Sequence, residues 1–278
     1  MKLVRYGEAG CEKPGLIDDA GMLRDLGEHV VEDVPFDNNV ISRLASVRLE
    51  TLPVVERPYR LGPPVARCSK FIAIGLNYSD HATESGMPLP SEPIVFMKAP
   101  SCIVGCNDAV MIPPGSTKTD WEVELGIVIG SVARSVDEDA ALDHVAGYLV
   151  VHDVSEREYQ LERGGTWDKG KGCDTFGPIG PWLVTRDEVG DPQSLDLWLD
   201  VNGEAMQRGS TRTMVFPCAQ IVSYVSRFMT LMPGDIIATG TPRGVGMGMK
   251  PQRFLKAGDT VSLGIAGLGE QRQTVIAG

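Results

Sequence analysis

Apolar residues along this chain fall in short runs, some alternating with polar positions and some continuous for a strand's length, with Gly and Pro between them. Residues 2–6 and 15–18 read as β-like runs and residues 40–45 as a helix, in an opening punctuated by turn residues. Leu61-Gly62-Pro63-Pro64 reads as a linker, which divides a small amino-terminal domain (residues 1–65) from a larger one (residues 66–278). That larger part opens with a short buried strand at residues 70–75, and Pro93, Pro100 and Pro113-Pro114 keep helices out of residues 94–120. Residues 137–144 form an amphipathic helix, and residues 147–154 are an apolar run of strand length. Leu195, Leu197, Leu199 and Val201 alternate into Asn202-Gly203, a strong hairpin signal. Ile221, Tyr224, Val225 and Phe228 recur at helical spacing within residues 217–229 and read as core, and residues 261–265 and 271–276 close the chain as a second hairpin. Short strands between turn signals, with few helices, predict a β-rich α+β fold.

One strand breaks the apolar pattern in an informative way. In Thr119-Asp120-Trp121-Glu122-Val123-Glu124-Leu125-Gly126-Ile127-Val128-Ile129-Gly130, period two puts Glu122 and Glu124 on one face and Trp121, Val123 and Leu125 on the other. Two adjacent carboxylates in a partly buried place repel, and a hard divalent cation relieves them. The same pattern also fits a solvent-facing edge strand. Asp153, at the carboxyl end of the run at 147–154, adds a third acid. Three carboxylates with other positions left to water and substrate describe Mg²⁺ or Mn²⁺ better than zinc, which favours Cys and His.

After the strand at residues 70–75, Asn77 or Ser79 can cap a short helix ending at Gly86, on which His81 and Glu84 share a face at i, i+3. A carboxylate fixes the tautomer of a neighbouring histidine and raises its basicity, so the pair suits removal of a proton from water, although it equally fits an ordinary surface pair. Residues 164–178 are glycine-dense and carry Lys169, Lys171 and Thr175, as a mobile lid over a ligand would, but lack the order of a P-loop.

Composition narrows the classes. The 278 residues carry a formal net charge of −11, which opposes nucleic-acid or anionic-membrane partners and leaves an anionic small substrate dependent on local Lys, Arg or metal charge. The six cysteines form no CxxC pair. No apolar run reaches membrane length and the first residues lack a signal peptide's apolar region, so a soluble, cytoplasmic protein is expected.

From about Lys70 to the end the chain resembles the fumarylacetoacetate hydrolase family, in its bacterial short-chain branch. The motifs occur in one order: Gly75-Leu76-Asn77-Tyr78 with His81 and Glu84; Glu122-Val123-Glu124; Asp153-Val154-Ser155 with Arg157 and Gln160; Gly170-Lys171 through Thr175; and Thr239-Gly240-Thr241-Pro242. The resemblance implies a β-roll with a small amino-terminal domain, a homodimer, and Mg²⁺ or Mn²⁺ held by Glu122, Glu124 and Asp153. It further implies His81 and Glu84 as a water-activating dyad, Lys171 beside the metal, and Arg157 with Gln160 as substrate contacts. Tyr78, Thr175, Gly240 and Thr241 are the remaining expected contacts to a 2-oxo acid.

Such enzymes cleave carbon–carbon bonds in β-diketo acids, and relatives decarboxylate, hydrate or isomerise similar 2-oxo acids. A 2,4-dioxo acid can chelate the ion through its carboxylate and 2-oxo oxygens, so that water attack at the 4-carbonyl releases pyruvate enolate and a second acid. Acylpyruvases and oxaloacetate decarboxylases of the family often carry Arg before the Asn-Tyr pair, where this chain has Leu76. The expected substrate is therefore a 2,4-diketo-3-deoxy sugar acid of the fuconate or rhamnonate type, cleaved to pyruvate and lactate. A 2-oxo-alkenoate hydratase or isomerase, an oxaloacetate decarboxylase-type enzyme of the same family, and a catalytically silent metal-containing binding module are the alternatives.

Overall fold

The computed structural model describes residues 1–80 and 88–278. Among these, twelve strands join one sheet and five a second, while Thr119–Asp120 and Ser155–Glu156 pair as a short separate ribbon. At the centre of the larger sheet Val123–Ile129 runs antiparallel to Val145–His152, with Val123 opposite His152 and Glu124 opposite Val151. On its other side lies Ile236–Ala238, then Phe71–Gly75 parallel to that strand, then Ile94–Lys98. In the opposite direction Leu183–Thr185 joins Lys2–Tyr6, which carries Lys13–Ile17 and Leu23–Asp25 outward, so the amino-terminal strands extend the same sheet. The second sheet runs Glu204–Ser210, Asp196–Val201, Thr260–Ile265, Gly269–Ala277, Val110–Ile112. Its first hairpin turns at Asn202 and Gly203, with φ of 53° and 78°, the left-handed pair that a tight two-residue turn requires.

The alternation read from the sequence decides what each face meets. Val123, Leu125, Ile127 and Ile129 pack with Leu197, Leu199, Val261 and Leu263 of the second sheet and with the helix Cys218–Ser226. Val128, Leu149 and Val151 point the other way, into a second cluster with Leu3, Leu16, Val40 and Leu44. A sheet covered on both faces accommodates near-continuous apolar strands, and each fully buried Leu or Val there contributes about 1.5–3 kcal/mol. The same period turns Glu124 away from Val123 and Leu125.

Three local expectations change. Leu61–Gly62, expected as linker, is a two-residue strand paired with Arg5 and Tyr6. Phe228 lies beyond the last turn of its helix and is 65% exposed, its ring edge-to-face with Tyr224 at 4.9 Å, so it is no part of the core. Within the glycine-dense stretch, Asp168–Lys171 is a helical turn in which Gly170 and Lys171 are buried, because Gly170 packs against the Glu156 carbonyl and leaves no room for a Cβ. Among the described residues no helix is long and apolar enough to cross a membrane.

Candidate active site

Strand register assembles the acids. Because Val123 faces His152, Glu122 and Asp153 leave their antiparallel strands side by side, and Asp153 N donates to the Glu122 carbonyl at 2.9 Å. Glu124, two residues along, comes onto the same side. Carboxylate oxygens of Glu122, Glu124 and Asp153 lie within 4.8 Å of one another, all three residues buried. Ile236–Ala238 runs beside this strand, so the loop after it brings Gly240, whose N–H donates to Glu124 Oε2 at 2.8 Å.

Cations converge on the same point. Lys171 Nζ lies 2.5 Å from Glu122 Oε2 and 2.7 Å from Asp153 Oδ2. Arg157, on the helical turn Arg157–Leu161, gives Nη2 to Glu122 Oε1 at 2.6 Å, Nε to Asp120 Oδ2 at 2.8 Å and Nη1 to Gln160 Oε1 at 2.9 Å. The ribbon at Thr119–Asp120 and Ser155–Glu156 makes this possible, since it sets Asp120 opposite Ser155, two residues before Arg157. Lys98, fully buried at the end of Ile94–Lys98, pairs with Asp153 Oδ1 at 2.6 Å and donates to the carbonyls of Lys171 and Val154.

Charge explains how these groups titrate. Burial, reinforced by Asp153 and Glu122, pushes the Glu124 carboxyl well above the ordinary range. Burial opposes the charge on Lys171, but Asp153 and Glu122 outweigh it and the ammonium pKa is raised. Four carboxylates (Asp120, Glu122, Glu124, Asp153) against Lys98, Arg157 and Lys171 leave one negative charge when all are ionised. A divalent cation would turn that into one positive charge, which suits a substrate carboxylate. The donor set fits such an ion: three buried carboxylates with no Cys or His joining them among the described residues are hard oxygen ligands of the kind Mg²⁺ and Mn²⁺ take.

The acids line a cavity of about 120 Å³ to which Gln160, Lys171, Gly240 and Thr241 also contribute. A larger open groove of about 570 Å³, between residues 113–117 and 252–257, contains none of these groups. Two expected substrate contacts lie outside the cavity lining. Tyr78 is wholly buried, its hydroxyl without a partner among the described residues and its pKa raised well above 10 by burial and then by Glu124. Thr175 adopts φ of 66° and its Oγ1 accepts from Met111 N at 2.8 Å, so its hydroxyl serves the backbone. His81 and Glu84 lie outside the described residues. Sequence reasoning missed Lys98 and Asp120, whose only signal was a charged residue within or beside an otherwise apolar strand.

Comparison with known proteins places this arrangement. Residues 70–276 match the family model described as fumarylacetoacetate (FAA) hydrolase C-terminal. A protein of Burkholderia orbicola named "Putative hydrolase" is 63% identical over 277 residues, 98% of each chain. The crystal structure of maleylpyruvate hydrolase from Sphingobium sp. SYK-6, in complex with manganese(II) ion and pyruvate, is similar at TM-score 0.82 and 30% identity over 100% of both chains. That of 5-carboxymethyl-2-hydroxymuconate delta-isomerase from Mycobacterium smegmatis is similar at TM-score 0.79 and 31% identity, over 100% of this chain and 99% of the other. With a family model across most of its length and an acidic triad lining a cavity, the chain belongs to the fumarylacetoacetate hydrolase family of enzymes.

Proposed function

We propose that this enzyme hydrolyses the carbon–carbon bond of a 2,4-dioxo acid, giving pyruvate and a second carboxylic acid. The observation that carries it is the meeting of Glu122, Glu124 and Asp153 with Lys171 and Arg157 in a cavity otherwise lined largely by apolar side chains. Glu122, Glu124 and Asp153 would hold Mg²⁺ or Mn²⁺, which would supply Lewis-acid polarisation of the 2-oxo group. The manganese and pyruvate in the Sphingobium neighbour support this choice of ion and product.

The chain's own residues divide the remaining work. Lys171 Nζ, kept protonated by Asp153 and Glu122, offers a positive charge where the 2-oxo oxygen gains negative charge. Arg157 is committed to Asp120, Glu122 and Gln160, and so fixes the carboxylate array and presents Gln160 to the cavity. His81, supported by Glu84, is the general base on the family resemblance: it takes a proton from water, the hydroxide adds to C4, the C3–C4 bond breaks, and the electron pair goes to C3 as pyruvate enolate. That carbon then takes up a proton.

The isomerase neighbour favours a second reading, in which the same charged cluster promotes enolisation of a 2-oxo-alkenoate without cleavage. Incubation of the Mg²⁺-loaded enzyme with 2,4-dioxo acids and 2-oxo-alkenoates, followed by mass analysis, decides between them. Two fragments including pyruvate are expected; a product of unchanged mass would establish the isomerase instead, and no turnover of either class would refute both.

A further inference from the structure

The lining of the cavity is of two kinds. The carboxylates and their cations are clustered together, and beside them Ile74, Leu76, Phe96, Leu161, Trp167 and Met247 form an apolar wall whose Phe96 ring centroid lies 5.2 Å from Lys171 Nζ, with Gln160 and Thr241 as the neutral polar side chains of the lining. Among the described lining residues the cations are Arg157 and Lys171, and both are held against carboxylates. We infer that the enzyme selects 2-oxo acids whose far end is uncharged and discriminates against those that end in a second carboxylate.

This apolar wall is built in. Leu76 adopts φ of 52°, a left-handed conformation that disfavours a bulky side chain, immediately after the strand Phe71–Gly75. The next residue holds it there: Asn77 Nδ2 donates to the Thr239 carbonyl at 2.8 Å and to the Phe216 carbonyl at 3.1 Å, while its Oδ1 accepts from Phe216 N. Trp167 packs so closely on Gly75 that a Cβ there would stand 2.5 Å from the ring, and it meets Phe96 edge-on with centroids 5.2 Å apart. Met247 is fixed through its N–H on Asp120 Oδ2 at 3.0 Å, the oxygen that also receives Arg157. Thr241 offers little to a hydroxylated tail, because its hydroxyl donates to the Val123 carbonyl and accepts from Gln207, both at 2.8 Å. A second carboxylate placed against this wall would lose water and gain no cation among the described lining residues, whereas a methyl or methylene chain would gain contact.

This inference rests on the proposed 2-oxo acid chemistry, so its test is separated from turnover. Calorimetric titration of the Mg²⁺-loaded protein with 2-oxohexanoate and 2-oxoadipate compares chains of equal carbon number that end in methyl or carboxylate. Binding of 2-oxohexanoate at least about tenfold tighter is expected, with the preference narrowed or inverted in Leu76→Arg and in Leu161→Arg, the latter at an exposed helix end that tolerates substitution. Equal or tighter binding of 2-oxoadipate to the unaltered protein would overturn the inference and leave the 2-oxo acid reading standing. A wild-type preference that neither variant moves would also overturn it, since this wall would not be its source. Binding of neither compound, with Mg²⁺ still bound, would refute the 2-oxo acid reading and this inference together.

Discussion

Lys98 Nζ stands 2.6 Å from Asp153 Oδ1, and both side chains are wholly buried. The same ammonium donates to the Lys171 and Val154 carbonyls, so it ties a candidate metal ligand to the backbone of the turn that carries the second lysine. Lys98→Met keeps the length of the side chain and removes the charge, leaving Asp153 short of a partner and two carbonyls without their donor. Breaking one side of a buried pair costs about 3–5 kcal/mol. Denaturant unfolding is expected to show a loss of that order, and Mg²⁺ titration a weaker site. A variant as stable as the parent with unchanged metal affinity would show that Lys98 merely fills space.

Asp120 governs the site from one step further out. Its carboxylate accepts from Arg157 Nε, Gly246 N and Met247 N, and so holds in one place the guanidinium that supports Glu122 and the loop that presents Met247. Asp120→Asn retains the shape but loses charge and one acceptor. Groups that orient metal ligands typically contribute 10–100-fold, so kcat/KM on the best substrate is expected to fall about 10–100-fold. Most of the loss should appear in substrate and metal affinity, because the reacting groups themselves remain.

How much of this was legible in the sequence follows from the range of each interaction. Glu122 and Glu124 could be read because period two is a local rule, and Asp153 because it ends an apolar run. Apart from the family resemblance, Lys171 carried only a local signal of glycine and lysine, which fits a mobile lid as well as the buried turn Asp168–Lys171. What buries it is a pair of carboxylates 49 and 18 residues away, and no window of sequence contains both. Lys98 is harder still, since a lysine closing a strand is ordinary until Asp153 arrives against it. The strand at Leu61–Gly62 was hidden for a similar reason: glycine and proline mark turns locally, while the pairing that extends this segment comes from Arg5 and Tyr6.

Glu124 supplies a pH test. Its pKa is raised above the unfolded value, by burial first and then by Asp153 and Glu122, so in the metal-free protein its stabilising contribution is fully present below the unfolded pKa and is lost as pH rises through the folded one. The metal-free protein is therefore expected to lose stability with rising pH, and Glu124→Gln to remove this component. An ion bound by Glu124 must release the proton, so apparent Mg²⁺ affinity should rise by up to about tenfold per pH unit until the raised pKa is passed. Titrations in buffers of different ionisation enthalpy count that proton. Affinity independent of pH would show that Glu124 is already ionised or takes no part in binding.

Gly240 tests whether the loop beside Glu124 tolerates any side chain. It adopts φ of 96°, its N–H is committed to Glu124 Oε2 at 2.8 Å, and a Cβ would stand 2.8 Å from the Asn77 Cβ and 3.2 Å from the Ile74 carbonyl. Asn77 cannot retreat without releasing the Thr239 and Phe216 carbonyls, and the Ile74 carbonyl belongs to the strand itself. Gly240→Ala therefore combines left-handed strain with overpacking, each costing about 1–3 kcal/mol. The displacement that relieves both moves the N–H off Glu124 and shifts Thr241, whose hydroxyl links the loop to Val123. Lower thermal stability is expected together with a loss of Mg²⁺ affinity larger than a remote variant of equal stability cost would show. Gly234→Ala is the control: φ there is 88° and the added Cβ would crowd the Arg67 carbonyl, so the strain is of the same kind, on a residue that does not line the cavity. If the two variants lower metal affinity equally, the Gly240 contact with Glu124 contributes nothing specific to the site.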